Sequence, residues 1–143
     1  MSNQSFAYGE SKALTANSFT RTGYSFSGWK TSGGTAYADK ATVSNLTKTD
    51  SAVITLYAQW TPISYSISYT LDGGSISGQQ TSYNIESATF TLPIPSRNGY
   101  SFAGWTGTGL SSTTRSVSVA KGSTGNRSYT ANWTPVNYSI TYN

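Results

Sequence analysis

Apolar and polar residues alternate along several short stretches of this chain. Tyr65, Ile67 and Tyr69 alternate with serines in "ISYSISYTL", and a period of two returns in "TSYNIE", "RSVSVA" and "RSYTANW". Successive side chains of a β-strand point to opposite faces, so each stretch is typical of a strand with one buried face. Turn residues such as the Asp-Gly pair of "LDGG" separate the stretches. The pattern predicts a mainly β protein built from short strands.

The same alternation closes the sequence in "TPVNYSITYN". Its apolar positions are Val136, Tyr138, Ile140 and Tyr142. They would share one face of a strand, and polar residues would cover the other face. No complementary stretch follows within this sequence. We therefore expect the partner of this strand to lie in an earlier part of the chain or in another copy.

The chain also repeats itself. The motif "RTGYSFSGW" starts at Arg21, and "RNGYSFAGW" starts at Arg97, 76 positions later. Downstream, "LYAQWTPISYSISY" and "SYTANWTPVNYSITY" place Trp60 and Trp133 in matching positions, 73 apart. The difference between the two shifts is a length change in the loops between these anchors. Two small modules in tandem explain such a repeat.

Two sets of repeated residues mark the structural motif of the modules. The set in the first copy is Gly23, Tyr24, Phe26, Gly28, Trp29 and Trp60. The set in the second copy is Gly99, Tyr100, Phe102, Gly104, Trp105 and Trp133. We expect the rings to fill the cores, because a module of about 70 residues buries only about 60% of its unfolded surface. The glycines inside the strands would leave room for a close neighbour. The alternative for one tryptophan per module is a stacking platform for sugar rings.

The comparison of the copies predicts three segments. Module 1 covers residues 1–62, module 2 covers residues 63–135, and residues 136–143 remain as an additional strand. Module 2 opens with "ISYSISYTL", continues through "TSYNIE" and a proline-containing crossing, and ends with "RSYTANW". It therefore has every strand that the pattern predicts.

Module 1 lacks the counterpart of that N-terminal strand. It enters at "QSFAYGE", where Phe6 and Tyr8 take the places of Tyr83 and Ile85. A strand missing from a sheet leaves unpaired backbone groups and uncovered apolar side chains, which β-strand addition uses as a template. The spare first-strand sequence in this chain is 136–143. We expect this segment to complete a copy of module 1.

The motifs also resemble a known family. The combination GYxFxGW followed by YxAxW occurs twice, together with "YSISYTLDGG" and "GSTGNRSYTANWT", and is similar to the Listeria–Bacteroides repeat, also called the internalin B-repeat. The resemblance covers nearly the whole chain. It implies small β-grasp-like (ubiquitin-like) modules in tandem, an extracellular position at a bacterial cell surface, and no catalytic activity. It carries over no catalytic residues.

The amino-acid composition excludes most of the common types of enzyme active site. The 143 residues contain no cysteine and no histidine, so thiolate nucleophiles, disulfides, the usual zinc ligands and the commonest general base are missing. The carboxylates are Glu10, Asp39, Asp50, Asp72 and Glu86. They form no pattern that pairs two of them for glycoside hydrolysis or that collects several oxygens around calcium. We expect no enzymatic activity, no metal and no cofactor.

The distribution of charged residues indicates which kinds of partner the chain can bind. The formal net charge is +4, but the nine lysines and arginines are spread without a run and charged residues make up 10% of the chain. A dedicated basic groove is not indicated, so we expect no nucleic-acid partner. A weakly basic surface leaves loose contact with anionic cell-wall polymers open. No apolar run has the 18 residues of a membrane span, so we expect no direct membrane insertion.

These observations favour a structural protein that associates with itself. The Thr-Pro link after Trp133 is short for a strand that must double back to module 1 of its own molecule. Insertion of 136–143 into module 1 of a neighbouring subunit is therefore favoured. Such a contact is head-to-tail, and it produces either a closed ring or a filament.

Two alternatives stay open at this point. The chain is an adhesin in one of them, and loops such as "KTSGGTAYADK" and "GTGLSSTTRS" bind host glycans or proteins. In the other it is a spacer fragment of a larger surface protein, and 136–143 is a frayed strand of the next module.

Overall fold

A computed structural model of the chain describes residues 1–143. It contains eleven short β-strands and no α-helix, which confirms the predicted mainly β composition. No helix in it could cross a membrane. The chain divides into two compact units, Met1–Ile63 (unit 1) and Ser64–Asn143 (unit 2).

Unit 1 contains two small antiparallel sheets. Its strands are β1 (Ser11–Ala13), β2 (Tyr24–Lys30), β3 (Ala36–Tyr37), β4 (Thr42–Ser44) and β5 (Tyr57–Pro62). The larger sheet has the order β3-β2-β5, and the smaller one joins β1 to β4. The longest pairing is that of β2, which carries "YSFSGW", with β5, which carries "YAQW". The repeated residues of the first copy therefore lie together in one sheet.

The core of unit 1 is small. Only Leu14, Trp29 and Val43 are buried in its apolar cluster. Phe26 packs edge-on against Trp29 with ring centroids 4.9 Å apart. Aromatic side chains therefore supply much of the apolar contact, as small modules require.

Unit 2 has a four-stranded mixed sheet and a two-stranded one. Its strands are β6 (Tyr65–Thr70), β7 (Ser82–Tyr83), β8 (Phe90–Thr91), β9 (Tyr100–Gly107), β10 (Ser118–Val119) and β11 (Arg127–Pro135). The larger sheet has the order β7-β6-β11-β9, and β10 pairs with β8. The central pair, β6 with β11, is parallel, whereas β6 with β7 and β11 with β9 are antiparallel. The first and last strands of unit 2 thus form the middle of its sheet.

The core of unit 2 is larger than that of unit 1. Nine residues are buried in one cluster, and Trp105 has an exposed fraction of 0%. These residues are Ile67, Tyr83, Leu92, Phe102, Trp105, Val117, Val119, Tyr129 and Ala131. Strand β6 contributes Ile67 to the cluster, and Tyr65 and Tyr69 pack against it. The apolar residues of "ISYSISYTL" alternate with serines because one face of β6 is buried, as the sequence pattern predicts.

The same irregularity occurs in both units at the glycine of the repeat motif. The pairing of β2 with β5 shifts register between Phe26 and Gly28, and that of β9 with β11 shifts opposite Gly104. Gly28 and Gly104 have φ angles of +132° and +148°. A Cβ atom on Gly28 would lie 2.8 Å from the carbonyl oxygen of Tyr37. Glycine is needed here for both its backbone conformation and its lack of a side chain.

Residues 136–143 form no strand in the structure. The amide of Val136 donates to the carbonyl oxygen of Gly99 at 3.0 Å, and no hydrogen bond holds the residues after it. The exposed fractions of Tyr138, Ile140 and Tyr142 are 87%, 67% and 89%. This segment therefore presents its apolar positions to solvent.

Candidate functional site

The carboxylates lie in turns and on the surface. Lys12 Nζ lies 3.1 Å from Glu10 Oε1 in an exposed ion pair. The backbone amide of Ala7 and the ammonium of Lys12 lower the pKa of Glu10 below its usual 4.5. Asp72 lies in a turn with a φ angle of +47°. No group of three or more acidic side chains is arranged to hold a metal ion. These contacts stabilise local backbone conformation.

The two units differ at the edge of their last strand. In unit 2, β11 has neighbours on both sides, β9 and the parallel strand β6. In unit 1, the corresponding strand β5 pairs with β2 alone. The second edge of β5 therefore has no partner strand. Unpaired N–H and C=O groups on such an edge are a template for an added strand.

The shift of 73 between the copies identifies the residues along this edge. Residues 54–57 of unit 1 correspond to residues 127–130 of β11, which pair with residues 67–70 of β6. Of these four, only Tyr57 belongs to β5, and residues 54–56 lie directly before it. Val53 and Ile54 are 81% and 41% exposed, and Leu56 is half-buried. Apolar side chains therefore flank the open edge.

A cavity of about 760 Å³ adjoins residues 54–56, directly before β5. Residues 1–8 and 45–56 form most of its wall, and Leu14 and Trp29 also line it. Leu56, which corresponds to Tyr129 of unit 2, lies in the wall as well. We call this cavity together with residues 54–57 the β5 groove.

In unit 2, a side chain from β6 occupies the corresponding place. The ring of Tyr69 lies 5.7 Å from that of Trp105 and 6.4 Å from that of Tyr129, measured between centroids. Trp105 and Tyr129 correspond to Trp29 and Leu56 of unit 1. The β5 groove is thus lined by the unit 1 residues that correspond to the ring contacts of Tyr69 in unit 2.

Hydrogen bonds hold the opposite wall of the groove in place. The side chain of Gln4 donates to the carbonyl oxygen of Ala13 at 2.7 Å and accepts from the amide of Thr15 at 2.9 Å. Lys12 Nζ donates to the carbonyl oxygen of Ser5 at 2.8 Å and lies 5.1 Å from the ring centroid of Phe6. These bonds therefore hold the segment that carries Phe6 against the rest of unit 1, although the segment forms no strand.

The tryptophans of the repeat motif occupy equivalent positions in the two units. Trp29 and Trp105 are buried, and Trp60 and Trp133 are half-buried. Trp60 lies 5.7 Å from the ring of Phe26, and Trp133 lies 5.7 Å from the ring of Phe102. Each ring thus packs against another ring of its own unit. Packing, rather than a free stacking face, is the role that this geometry favours for them.

Gly23 and Gly99 lie in the turns that precede β2 and β9, and Tyr24 and Tyr100 are the first residues of these strands. Gly23 and Gly99 have φ angles of +77° and +75°. The guanidinium of Arg97 lies 3.8 Å from the ring centroid of Tyr100, and Arg21 and Tyr24 have the same separation. The two copies thus share the same cation–π pair.

Sequence reasoning did not single out Arg127. Its Nε donates to the hydroxyl of Tyr83 at 2.9 Å, and its Nη1 lies 3.4 Å from the hydroxyl of Tyr129. Burial alone would lower the pKa of Arg127, but the two tyrosine hydroxyls raise it. The only sign of Arg127 in the sequence was its position at the start of "RSYTANW", a stretch in which apolar and polar residues alternate. Leu56 and Ile54 were missed as well, although the shift of 73 would have placed them opposite the spare strand.

Two family profiles match the chain, one for each unit. The Listeria-Bacteroides repeat domain matches residues 1–59. The divergent InlB B-repeat domain matches residues 65–137, which is over half of the chain. The chain belongs to the InlB B-repeat family. The resemblance seen in the sequence motifs is confirmed.

One curated relative of this InlB B-repeat chain is Internalin H of Listeria monocytogenes serovar 1/2a. The two are 37% identical over 89 residues, which is 60% of this chain and 15% of the length of Internalin H. The match thus spans only a small part of the length of that relative. No solved structure matches the chain. The InlB B-repeat match in unit 2 begins at Tyr65, so it includes all of β6.

Proposed function

We propose that this chain is a non-catalytic structural repeat protein of a bacterial cell surface or of an extracellular filament. Its membership of the InlB B-repeat family and its similarity to part of Internalin H support this function. In both units the buried side chains pack into an apolar cluster, and no acidic side chains converge on a metal-binding pocket. The proposed structural role therefore depends on how subunits associate and not on a catalysed reaction.

We further propose that both units are β-grasp-like modules with boundaries at 1–62 and 63–135. The parallel pairing of the first and last strands in the middle of the unit 2 sheet supports that fold. Unit 1 has the counterparts of β9 and β11 in β2 and β5, in matching registers. What unit 1 lacks is a counterpart of β6.

The assembly proposal is that residues 136–143 of one subunit add to the open edge of β5 in a neighbouring subunit. A single observation carries it: the N-terminal part of β11 pairs with β6, whereas the corresponding residues 54–57, which lead into β5, have no partner strand on that side. The occupant is present in the same chain, because Tyr138, Ile140 and Tyr142 repeat the pattern of β6 and are exposed. Each subunit therefore has one groove and one strand.

The energetics make this assembly dependent on concentration. Burying a large apolar side chain contributes roughly 1.5–3 kcal/mol. The segment offers several such side chains, whereas association itself is opposed by roughly 4–15 kcal/mol. Because these terms are similar in size, dilution should dissociate the subunits. The contact joins different surfaces, so it closes into a ring or continues as a filament.

Light scattering and negative-stain electron microscopy test the assembly directly. We expect the full chain to form oligomers whose mass rises with concentration, and a chain ending at Pro135 to stay monomeric. A matched control, Asn137→Asp with Ser139→Asp, places charges on the polar face of the strand and should reduce assembly less than Ile140→Asp. If the full chain and the truncated chain are both monomers of equal stability, strand addition between subunits is wrong.

A second candidate function is binding of host glycans or proteins. The observation that favours it is the repeated cation–π pair, in which Arg97 lies 3.8 Å over Tyr100 and the tyrosine is 37% exposed. Planar exposed rings with a fixed guanidinium suit the faces of sugar rings. A glycan array with the full chain and with Tyr100→Ala tests this role. Binding that is absent, or unchanged in the variant, counts against it.

A further inference from the structure

We propose that the added strand enters the β5 groove parallel to β5 with Tyr142 opposite Leu56, and that the Tyr142 ring is the anchor that selects this strand. The inference rests on the proposed strand addition and deepens it. It names the register of the contact and the side chain that gives it specificity.

The register follows from unit 2. There, Ile67 lies opposite Arg127 and Tyr69 lies opposite Tyr129 in a parallel ladder. Both strands have counterparts 73 positions away, as the match of Trp60 with Trp133 shows. Applying the same shift to both partners places Ile140 opposite Ile54 and Tyr142 opposite Leu56. Because strand side chains have a period of two, a one-residue slip would turn every apolar side chain to the solvent face.

The cavity explains why the anchor is Tyr142. Its counterpart, Tyr69, packs edge-on against Trp105, with ring centroids 5.7 Å apart. In unit 1 the corresponding Trp29 lines the cavity of about 760 Å³. The neighbouring position carries Leu56, which is smaller than the Tyr129 of unit 2 and leaves more room. An aromatic ring at position 142 fills this space.

A hydrogen bond would fix how deeply the Tyr142 ring enters the cavity. In unit 2 the hydroxyl of Tyr69 donates to the carbonyl oxygen of Gln80 at 2.9 Å. Phe6 takes the place of Tyr83, so Asn3 takes the place of Gln80, and Asn3 lines the cavity. The side chain of Gln4, next to it, is hydrogen-bonded to Ala13. In the proposed register the Tyr142 hydroxyl would meet the carbonyl oxygen of Asn3, beside the hydrogen-bonded Gln4.

The backbone offers a matching contact. The amide of Ile67 donates to the carbonyl oxygen of Thr81 at 2.8 Å in unit 2. The corresponding pair in the assembly is the amide of Ile140 and the carbonyl oxygen of Gln4. The added strand would thus lie between β5 and the segment that carries Phe6, as β6 lies between β11 and β7.

The occupant is 136–143 of a second copy rather than strand β6. Ile67 is buried in its own unit, and the backbone of β6 is paired on both sides. Tyr138 and Tyr142 are 87% and 89% exposed and make no contact that must be broken. Removal of a side chain from 136–143 therefore does not disturb the fold of either unit.

Disulfide crosslinking tests the register, because the chain has no cysteine of its own. Thr55 and Thr141 are opposite each other in the proposed ladder and both are exposed. Strands lie about 4.7–4.9 Å apart, a spacing that a disulfide can bridge. We expect the double variant T55C/T141C to give a ladder of covalent oligomers on a non-reducing gel. The matched control T55C/S139C, shifted by two residues on the same face, should give at least about fivefold less.

Substitution of the anchor tests its role in specificity. We expect Tyr142→Ala to raise the concentration for half-assembly at least about tenfold, as for a central aromatic contact. Tyr142→Phe should raise it less, since the ring remains. Thr141→Ala, on the opposite face, should change it by less than about threefold.

The outcomes separate the two proposals. If the full chain assembles but the two crosslinking variants give equal ladders, or Tyr142→Ala behaves as Thr141→Ala, the register and the anchor are wrong while strand addition stands. If the full chain stays monomeric and neither double variant forms a ladder, strand addition itself is wrong.

Discussion

At the residue scale, each unit depends on a glycine that permits a tryptophan to be buried. Gly28 precedes Trp29 and Gly104 precedes Trp105, and both glycines have left-handed backbone angles at a β-bulge. The bulge turns the following ring into the core, where Trp105 is completely buried. The spacing of the GYxFxGW motif is therefore a packing requirement.

Substitution of Gly28 tests this requirement. We expect Gly28→Ala to destabilise unit 1 by about 2–3 kcal/mol, since the new Cβ is strained by its φ angle and meets the carbonyl oxygen of Tyr37. Gly33→Ala is the matched control, because its Cβ would meet only ordinary contact distances. Urea unfolding followed by tryptophan fluorescence measures both. Equal midpoints would contradict the packing argument.

Arg127 is the second residue with a testable role. It donates to the hydroxyls of the buried residues Tyr83 and Tyr129. We expect Arg127→Ala to destabilise unit 2 by about 1–3 kcal/mol, because buried hydroxyls lose a partner. Lys121→Ala, at an exposed position, should change the free energy of unfolding by less than about 0.5 kcal/mol. Similar values for the two variants would show that Arg127 has no structural role.

At the element scale, the difference between the units is one strand. Strand β6 gives unit 2 a central parallel pair and buries Ile67. In unit 1 the same position is the β5 groove, with an unpaired edge and a cavity. In the proposed assembly, a strand equivalent to β6 would fill this groove.

The tyrosine of this strand makes unit 2 sensitive to alkaline pH. Burial, and then the nearby Tyr129, raise the pKa of Tyr69 above its usual 10.0. The folded state therefore holds the hydroxyl proton more tightly than the unfolded state does. Its contribution to stability is complete below pH 10 and is lost as the pH rises through the folded pKa. Unfolding at pH 9 and pH 11 should show this loss, and Tyr69→Phe should reduce the slope.

At the scale of the whole molecule, the two units have unequal cores. Unit 2 buries nine residues in its apolar cluster, whereas unit 1 buries three. Because stability follows buried apolar area, unit 1 should be the less stable unit when no strand fills its groove. The proposed addition of a strand would then also complete the less stable unit.

Chemical unfolding of the chain ending at Pro135 tests this inequality. We expect two transitions, with unit 1 unfolding at the lower urea concentration. A synthetic peptide with the sequence of residues 136–143 should raise the first midpoint and leave the second unchanged, since only unit 1 has the groove. A peptide in which alanine replaces the counterpart of Tyr142 is the control. One transition, or equal shifts with both peptides, would contradict the expectation.

The sequence by itself determined the repeat, the mainly β composition and the apolar faces of the strands. Alternation in "ISYSISYTL" was enough to place Ile67 on a buried face, because side-chain direction in a strand depends only on the parity of the position. The family followed from the spacing of glycines and aromatic residues, which reflects the bulge and the core. The role of 136–143 stays a prediction.

Only the tertiary structure decided which strands are neighbours. The parallel pairing of β6 with β11, the junction of β8 with β10 and the contacts of Arg127 join residues far apart in the chain. Backbone hydrogen-bonding groups are the same in every strand, so a sequence pattern fixes the face of a strand but not its partner. The cavity beside β5 has the same origin, because a missing neighbour is visible only where the other strands are in place.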